Sequence, residues 1–158
     1  MAALPDELCV MLDLGAVVCA LPTRWVTRLL LLEEARYVEG LVDVAGQAHA
    51  AWELSQLLGV ELVPRAWVLM NLPHRGKTVP IALRAGACLV VDVLGPTLPV
   101  PAGIFRARRA AFPAGFEVTH RRKTSRAVVG LCFDPSGLFT PEELDRSAER
   151  VQRWQERS

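Results

Sequence analysis

The residues able to do chemistry are few and scattered. Histidine occurs at His49, His74 and His120. No two of them have the H-x-H or H-E-x-x-H spacing that sets two imidazoles on one metal. Ser55, Ser125, Ser136, Ser147 and Ser158 stand outside any G-x-S-x-G elbow, the tight turn that exposes a nucleophile. Glu33 and Glu34 end an apolar run, while Glu142, Glu143 and Asp145 open a helical one, where carboxylates suit the positive end of the helix dipole. Neither Gly-x-x-x-x-Gly-Lys-Ser/Thr nor Gly-x-Gly-x-x-Gly occurs, so a phosphate-cradling loop is not expected. Cys9, Cys19, Cys88 and Cys132 each sit in an apolar run without paired spacing. They read as buried, reduced thiols and not as zinc ligands or disulfides. These observations predict no catalytic residue, no cofactor and no metal, hence a protein that is not an enzyme.

One charge feature stands out. His120-Arg121-Arg122-Lys123 with Arg126 forms a basic tract, and Arg106, Arg108 and Arg109 make a second basic spot upstream. A nucleic-acid-binding β-barrel using this Arg106–Arg126 region is the alternative reading. The net charge of only +1 and the lack of interleaved aromatics in the tract favour a solvated loop and no nucleic-acid partner.

The frame that must carry these residues is short-stranded. The chain has 158 residues, 51% of them hydrophobic, enough for one domain over residues 1–158 with a substantial core and too apolar for a disordered segment. No apolar run approaches the roughly 20 residues of a spanning helix, so no membrane insertion is expected. Met1–Asp13 carries acids at Asp6 and Glu7 ahead of its apolar part and no basic region, so a secretory leader is not expected and the location reads as cytoplasmic.

Leu8–Leu14, Ala16–Leu21 (stopped by Pro22), Arg28–Glu34 and Leu41–Ala45 read as strands. Gly46 then marks a bulge or a close backbone approach. Ala51, Leu54, Leu57 and Leu58 fall on one side of a helix of two to three turns, with Gly59 as its stop. Arg65–Leu72 and Thr78–Leu83 form a hairpin through a longer loop at 73–77, with Pro80 marking an edge position. Ala87–Leu94 and Arg126–Phe133 are further strands, and Asp134-Pro135-Ser136-Gly137 is a turn. Thr140-Pro141-Glu142-Glu143 has an N-cap threonine, a proline at the first helical position and a glutamate that completes a capping box. Leu144, Ala148, Val151 and Trp154 then form the apolar stripe of a helix over 141–157 that packs on the body. Many short strands with one long terminal helix predict an all-β barrel or sandwich.

The order of elements carries a resemblance. A strand, a short link and an apolar strand (Arg28 to Glu34) are followed by a segment from Gly40 to Gly59 of the form G-x-x-x-x-x-G…L-x-x-x-L-G, then by a hairpin and an apolar strand. This resembles the CheW-like domain of bacterial chemotaxis coupling proteins, from about Val17 to Leu144. The resemblance implies two interlocked five-stranded SH3-like β-barrels plus the C-terminal α-helix. It implies a non-catalytic adaptor in a chemotaxis-like signalling pathway, clustered with receptor arrays. Its partners would be a chemoreceptor cytoplasmic tip, and a CheA-type histidine kinase or another CheW-like protein. The partner-binding candidates are Leu29, Leu31, Leu41, Val42, Asp43, Val44, Ala45 and Gly46. Where the family carries Asn-x-Arg-Gly, this chain reads Asp43-Val44-Ala45-Gly46. Alanine for arginine removes a planar cation and any bidentate contact it made, so the resemblance is to a divergent accessory member with its kinase contact altered.

Overall fold

The computed structural model describes residues 8–14, 17–91, 97–100, 106–117 and 129–157. In chain order the elements begin with β1 (Cys9–Asp13), β2 (Val17–Pro22), β3 (Val26–Leu31), β4 (Arg36–Val38), β5 (Leu41–Val44), β6 (Gln47–Glu53) and α1 (Leu54–Leu58). Then come β7 (Ala66–His74), β8 (Lys77–Ala85), β9 (Cys88–Val91), β10 (Thr97–Leu98), β11 (Ala114–Glu117), β12 (Val129–Cys132) and α2 (Pro141–Arg157). Single 3-10 turns at Thr23–Trp25, Leu32–Glu34 and Pro135–Gly137, and a longer 3-10 stretch at Arg106–Ala111, join them.

The strands form two sheets. One runs β3-β7-β8-β6-β5-β4, the other β10-β11-β12-β2-β1-β9. The first is made from one continuous stretch, residues 26–85, inserted between β2 and β9 of the second. That insertion is how the two sheets interlock. Each sheet counts six strands where the resemblance implies five, and the smallest members, β4 and β10, have three and two residues. Pairing is antiparallel except β6 with β8 and β12 with β2.

Three apolar clusters explain the architecture. Leu30, Val42, Trp67, Leu69 and Ala82 pack together inside the first sheet, with Leu32, Ala35, Val44 and Ala51 against them. These residues come from both ends of the sheet, so it curls into a barrel. Cys9, Val18, Ala20, Ala114, Phe116 and Cys132 fill the second. Gly130 lies opposite Phe116 there, and a Cβ at Gly130 would sit 2.4 Å from the ring, so only glycine leaves the aromatic its place. The largest cluster lies between the barrels: Leu12, Leu21, Leu131 and Phe133 from one side, Leu41, Val68, Met70, Ile81 and Leu83 from the other. The sheets are therefore buried on both faces. Fully burying one such leucine is worth about 2 kcal/mol.

Local chemistry sets the corners. The first barrel turns three times through an Xaa-Gly pair with both φ positive: Glu39-Gly40 (52°, 77°), Ala45-Gly46 (51°, 85°) and Arg75-Gly76 (51°, 75°). Two left-handed residues give the turn whose twist matches paired strands. Gly46 is thus a hairpin corner. A Cβ there would meet nothing within 4 Å, so the expected bulge or close approach is corrected to a turn.

Four further expectations change. The helix expected from Ala51 begins only at Leu54, because Gln47–Glu53 is a strand whose small residues pack against both cores. Gly59 does end it, in the left-handed conformation. The 73–77 loop is a two-residue turn. Pro80 sits in an interior strand, but one residue before the pairing with β6 begins at Ile81, so its missing donor falls where β8 has a single neighbour. The strand expected over 28–34 stops at Leu31, where Glu34 folds back to accept the Leu31 amide at 2.7 Å. The capping box forms as expected: Thr140 N donates to Glu143 Oε1 at 2.9 Å, and Glu143 N to Thr140 Oγ1 at 3.1 Å.

Candidate docking surface

Alternation decides what β3 can present. Leu30 points into the first barrel and is 3% exposed, while Leu29 and Leu31 point the other way. Leu29 is half-buried against the shared core, and Leu31, at the strand's end, runs past it and is 54% exposed. Leu31 pairs with Ala66, the first residue of β7. Next to it on β7, Trp67 is buried, and Tyr37 of β4 stacks on it with centroids 5.5 Å apart and planes at 18°. Tyr37 itself is 52% exposed. The Arg84 guanidinium lies 5.6 Å from the Trp67 ring and is held by Glu53 at 2.9 Å. The start of β7 is therefore flanked by two exposed side chains, Leu31 on the outward side of the sheet and Tyr37 over the Trp67 ring.

The expected contact residues divide. Leu31, Ala45 and Gly46 are exposed, and Leu29, Asp43 and Val44 are half-buried. Leu41 and Val42 are core: Leu41 faces the shared cluster and Val42 the barrel interior, at 3% and 0% exposure. Both side chains are buried, so of the expected contacts these two are the least open. A strand buried on both faces hides adjacent residues alike, where a one-sided strand would expose every second one. In the order of the sheet β7, β8 and β6 lie between β3 and β5, the strands that carry the expected contacts. Tyr37 was missed, although it is the chain's single tyrosine and its neighbours Arg36 and Val38 alternate with it along a short strand.

The chemically reactive groups are engaged structurally. Cys9, Cys19 and Cys132 are buried and Cys88 half-buried, all as free thiols. Burial pushes Cys88 and Cys132 up to about 11 and Cys19 higher still, so all three stay protonated and inert at neutral pH. His49 is buried, and desolvation lowers its pKa and keeps it neutral. His74 Nε2 lies 2.6 Å from Asp145 Oδ1 and ties the β7–β8 turn to α2. Among the described residues, no three His, Cys, Asp or Glu side chains converge as metal ligands do, and no helix is long and apolar enough to cross a membrane.

Arg108, expected in a basic spot, is committed internally. Its guanidinium grips Glu143 at 2.5 and 3.0 Å and donates to the Leu138 carbonyl at 2.9 Å. The Arg108 fork, with the Thr140 amide, holds the Glu143 carboxyl down at about 2. The tract His120–Lys123 with Arg126 lies outside the described residues.

No family model matches the sequence, and no curated protein does. Among solved structures the chain is similar to the crystal structure of the scaffolding protein TtCheW from Thermoanaerobacter tengcongensis, with a TM-score of 0.58 at 12% identity, over 85% of this chain and 88% of that one. The two barrels, their interlocking and the terminal helix thus belong to a known architecture, and the chain has the CheW-like fold.

Proposed function

We propose that the chain is a non-catalytic adaptor of a chemotaxis-like array, one domain that docks to the cytoplasmic tip of a chemoreceptor. A CheA-type histidine kinase or another CheW-like chain is the second partner. The observation that carries this reading is the open Leu31 and Tyr37 pair beside β7, on a fold whose solved neighbour is a scaffolding protein. An exposed apolar side chain on a rigid sheet suits a protein partner. Leu29, Leu31 and Tyr37 form the contact, and Asp43, Val44, Ala45 and Gly46 form a separate corner for the second partner.

Co-sedimentation with a purified receptor cytoplasmic fragment tests the reading. The wild-type chain should co-sediment, and Leu31→Glu should lose it with an unchanged melting curve, because the side chain is already in solvent. Equal sedimentation of the two proteins would refute the assignment of this face. Ala45→Arg restores the guanidinium that the family motif carries and should strengthen kinase co-sedimentation. No gain would mean the kinase surface differs at more positions than this one. The nucleic-acid alternative loses Arg108, whose fork is filled by Glu143.

A further inference from the structure

The last turns of α2 run beside the β4–β5 corner, leaving a groove of about 370 Å³ between them. Arg146, Arg150, Arg153 and Arg157 line it, spaced four, three and four residues apart, which places them in one stripe along the helix. Leu41 and Trp154 supply apolar lining, and Glu39 and Glu149 are the carboxylates that line it. Four guanidinium groups against two carboxylates leave the groove with an excess of two positive charges (4 − 2). The internal pairings are loose: Arg153 to Glu149 is 3.9 Å, Arg157 to Glu39 is 4.0 Å, and the side chains of these two pairs are 66–74% exposed. Arg150 reaches the Gly40 carbonyl at 3.4 Å. Each guanidinium has five donors in a planar fork, so these contacts leave most of them open.

We propose that this groove is a docking site for an acidic, amphipathic protein segment, whose carboxylates meet the arginine forks while one or two apolar side chains rest on Trp154. The site goes beyond the adaptor reading and does not depend on it, because it lies at the Leu41 end of β5, about 10 Å along the strand from the Ala45-Gly46 corner. Arginine forks match carboxylates bidentately. A protein segment fits better than a nucleic acid, because Glu39 and Glu149 stand inside the groove and would repel a continuous phosphate chain. The same carboxylates set a register for a peptide, whose acids can alternate with neutral residues.

The test is a titration of the isotopically labelled full chain with a helical peptide of about 14 residues, roughly four turns, composed of Glu, Leu and Ala. The Trp154 indole signal and the α2 amides should shift, and binding should weaken as salt is raised. Arg150→Ala with Arg153→Ala should weaken binding about tenfold, as expected for losing two charge-assisted contacts. Lys77→Ala, on the β7–β8 turn that meets the first half of α2, should leave it unchanged. An unchanged affinity in the double variant overturns the proposal, as do shifts confined to other elements. Tighter binding of a single-stranded oligonucleotide, or of vesicles containing anionic lipid, than of the peptide at equal salt overturns it too. Receptor co-sedimentation by the double variant should stay at the wild-type level, which separates failure of this site from failure of the adaptor reading.

Discussion

The two halves of α2 are built differently. In the first half three polar groups, Glu143, Asp145 and Ser147, each have a short, specific partner. Glu143 is gripped by Arg108 and the Thr140 cap, Asp145 receives Arg75 at 3.0 and 3.1 Å, and Ser147 accepts the Trp52 indole at 2.9 Å while donating to the Glu143 carbonyl. Leu144 and Val151 plug the shared core beneath. In the second half the charged groups meet at 3.9–4.0 Å in solvent. The first half is thus a clamp that fixes the helix on the first barrel and on the 3-10 segments. The second half packs on the core through Val151 and Trp154 and carries an exposed strip of arginines on its other side.

Mutations can test that contrast. Arg108→Ala should have the largest effect, lowering stability by about 3 kcal/mol, because it leaves Glu143 nearly buried with its charge unmatched. Urea denaturation at neutral pH reads this directly, and a loss no larger than that of a surface charge would break the clamp model. The same pair gives the protein an acid limit. Glu143 is held at about 2 against an ordinary value of 4.5, and Asp145, with Arg75 and then His74 as the causes, at about 2 against 3.8. A carboxyl lowered by folding contributes stability in full above its unfolded value and loses it as pH falls toward the folded one. Stability should therefore decline between about pH 4.5 and 2, and Arg108→Ala should flatten that decline. Trp52→Phe should cost about 1 kcal/mol, since it keeps the ring beside Phe139 but removes the donor to Ser147. Arg153→Ala should change the unfolding free energy by less than about 0.5 kcal/mol. A cost comparable to that of Trp52→Phe would show that the distal half also braces the fold.

The clamp and the strip were unequally legible in the sequence. Thr140, Pro141 and Glu143 announce the start of α2 because a capping box is local, made within four residues. The stripe Leu144, Ala148, Val151 and Trp154 is equally local, and it does face the core. The partners of the clamp were invisible, since Arg108 is 35 residues from Glu143, Arg75 is 70 from Asp145 and Trp52 is 95 from Ser147. β6 was misread for a related reason. Ala48, Ala50 and Ala51 are weak strand formers, and their role appears only once β8 lies parallel to them. Leu41 and Val42 are both buried, because one-sided alternation does not apply to a strand packed between two cores.

The insertion of residues 26–85 between β2 and β9 sets a timetable for synthesis. Every strand of the first barrel has emerged by Ala85, so that barrel can close while the ribosome is still working. β1 and β2, which precede it in the chain, reach their remaining neighbours later, β1 when β9 appears and β2 only when β12 appears, more than 100 residues after β2 began. Until then the hairpin they form has open rims on either side, and a chain arrested near Ala85 would expose them to neighbouring chains and to chaperones.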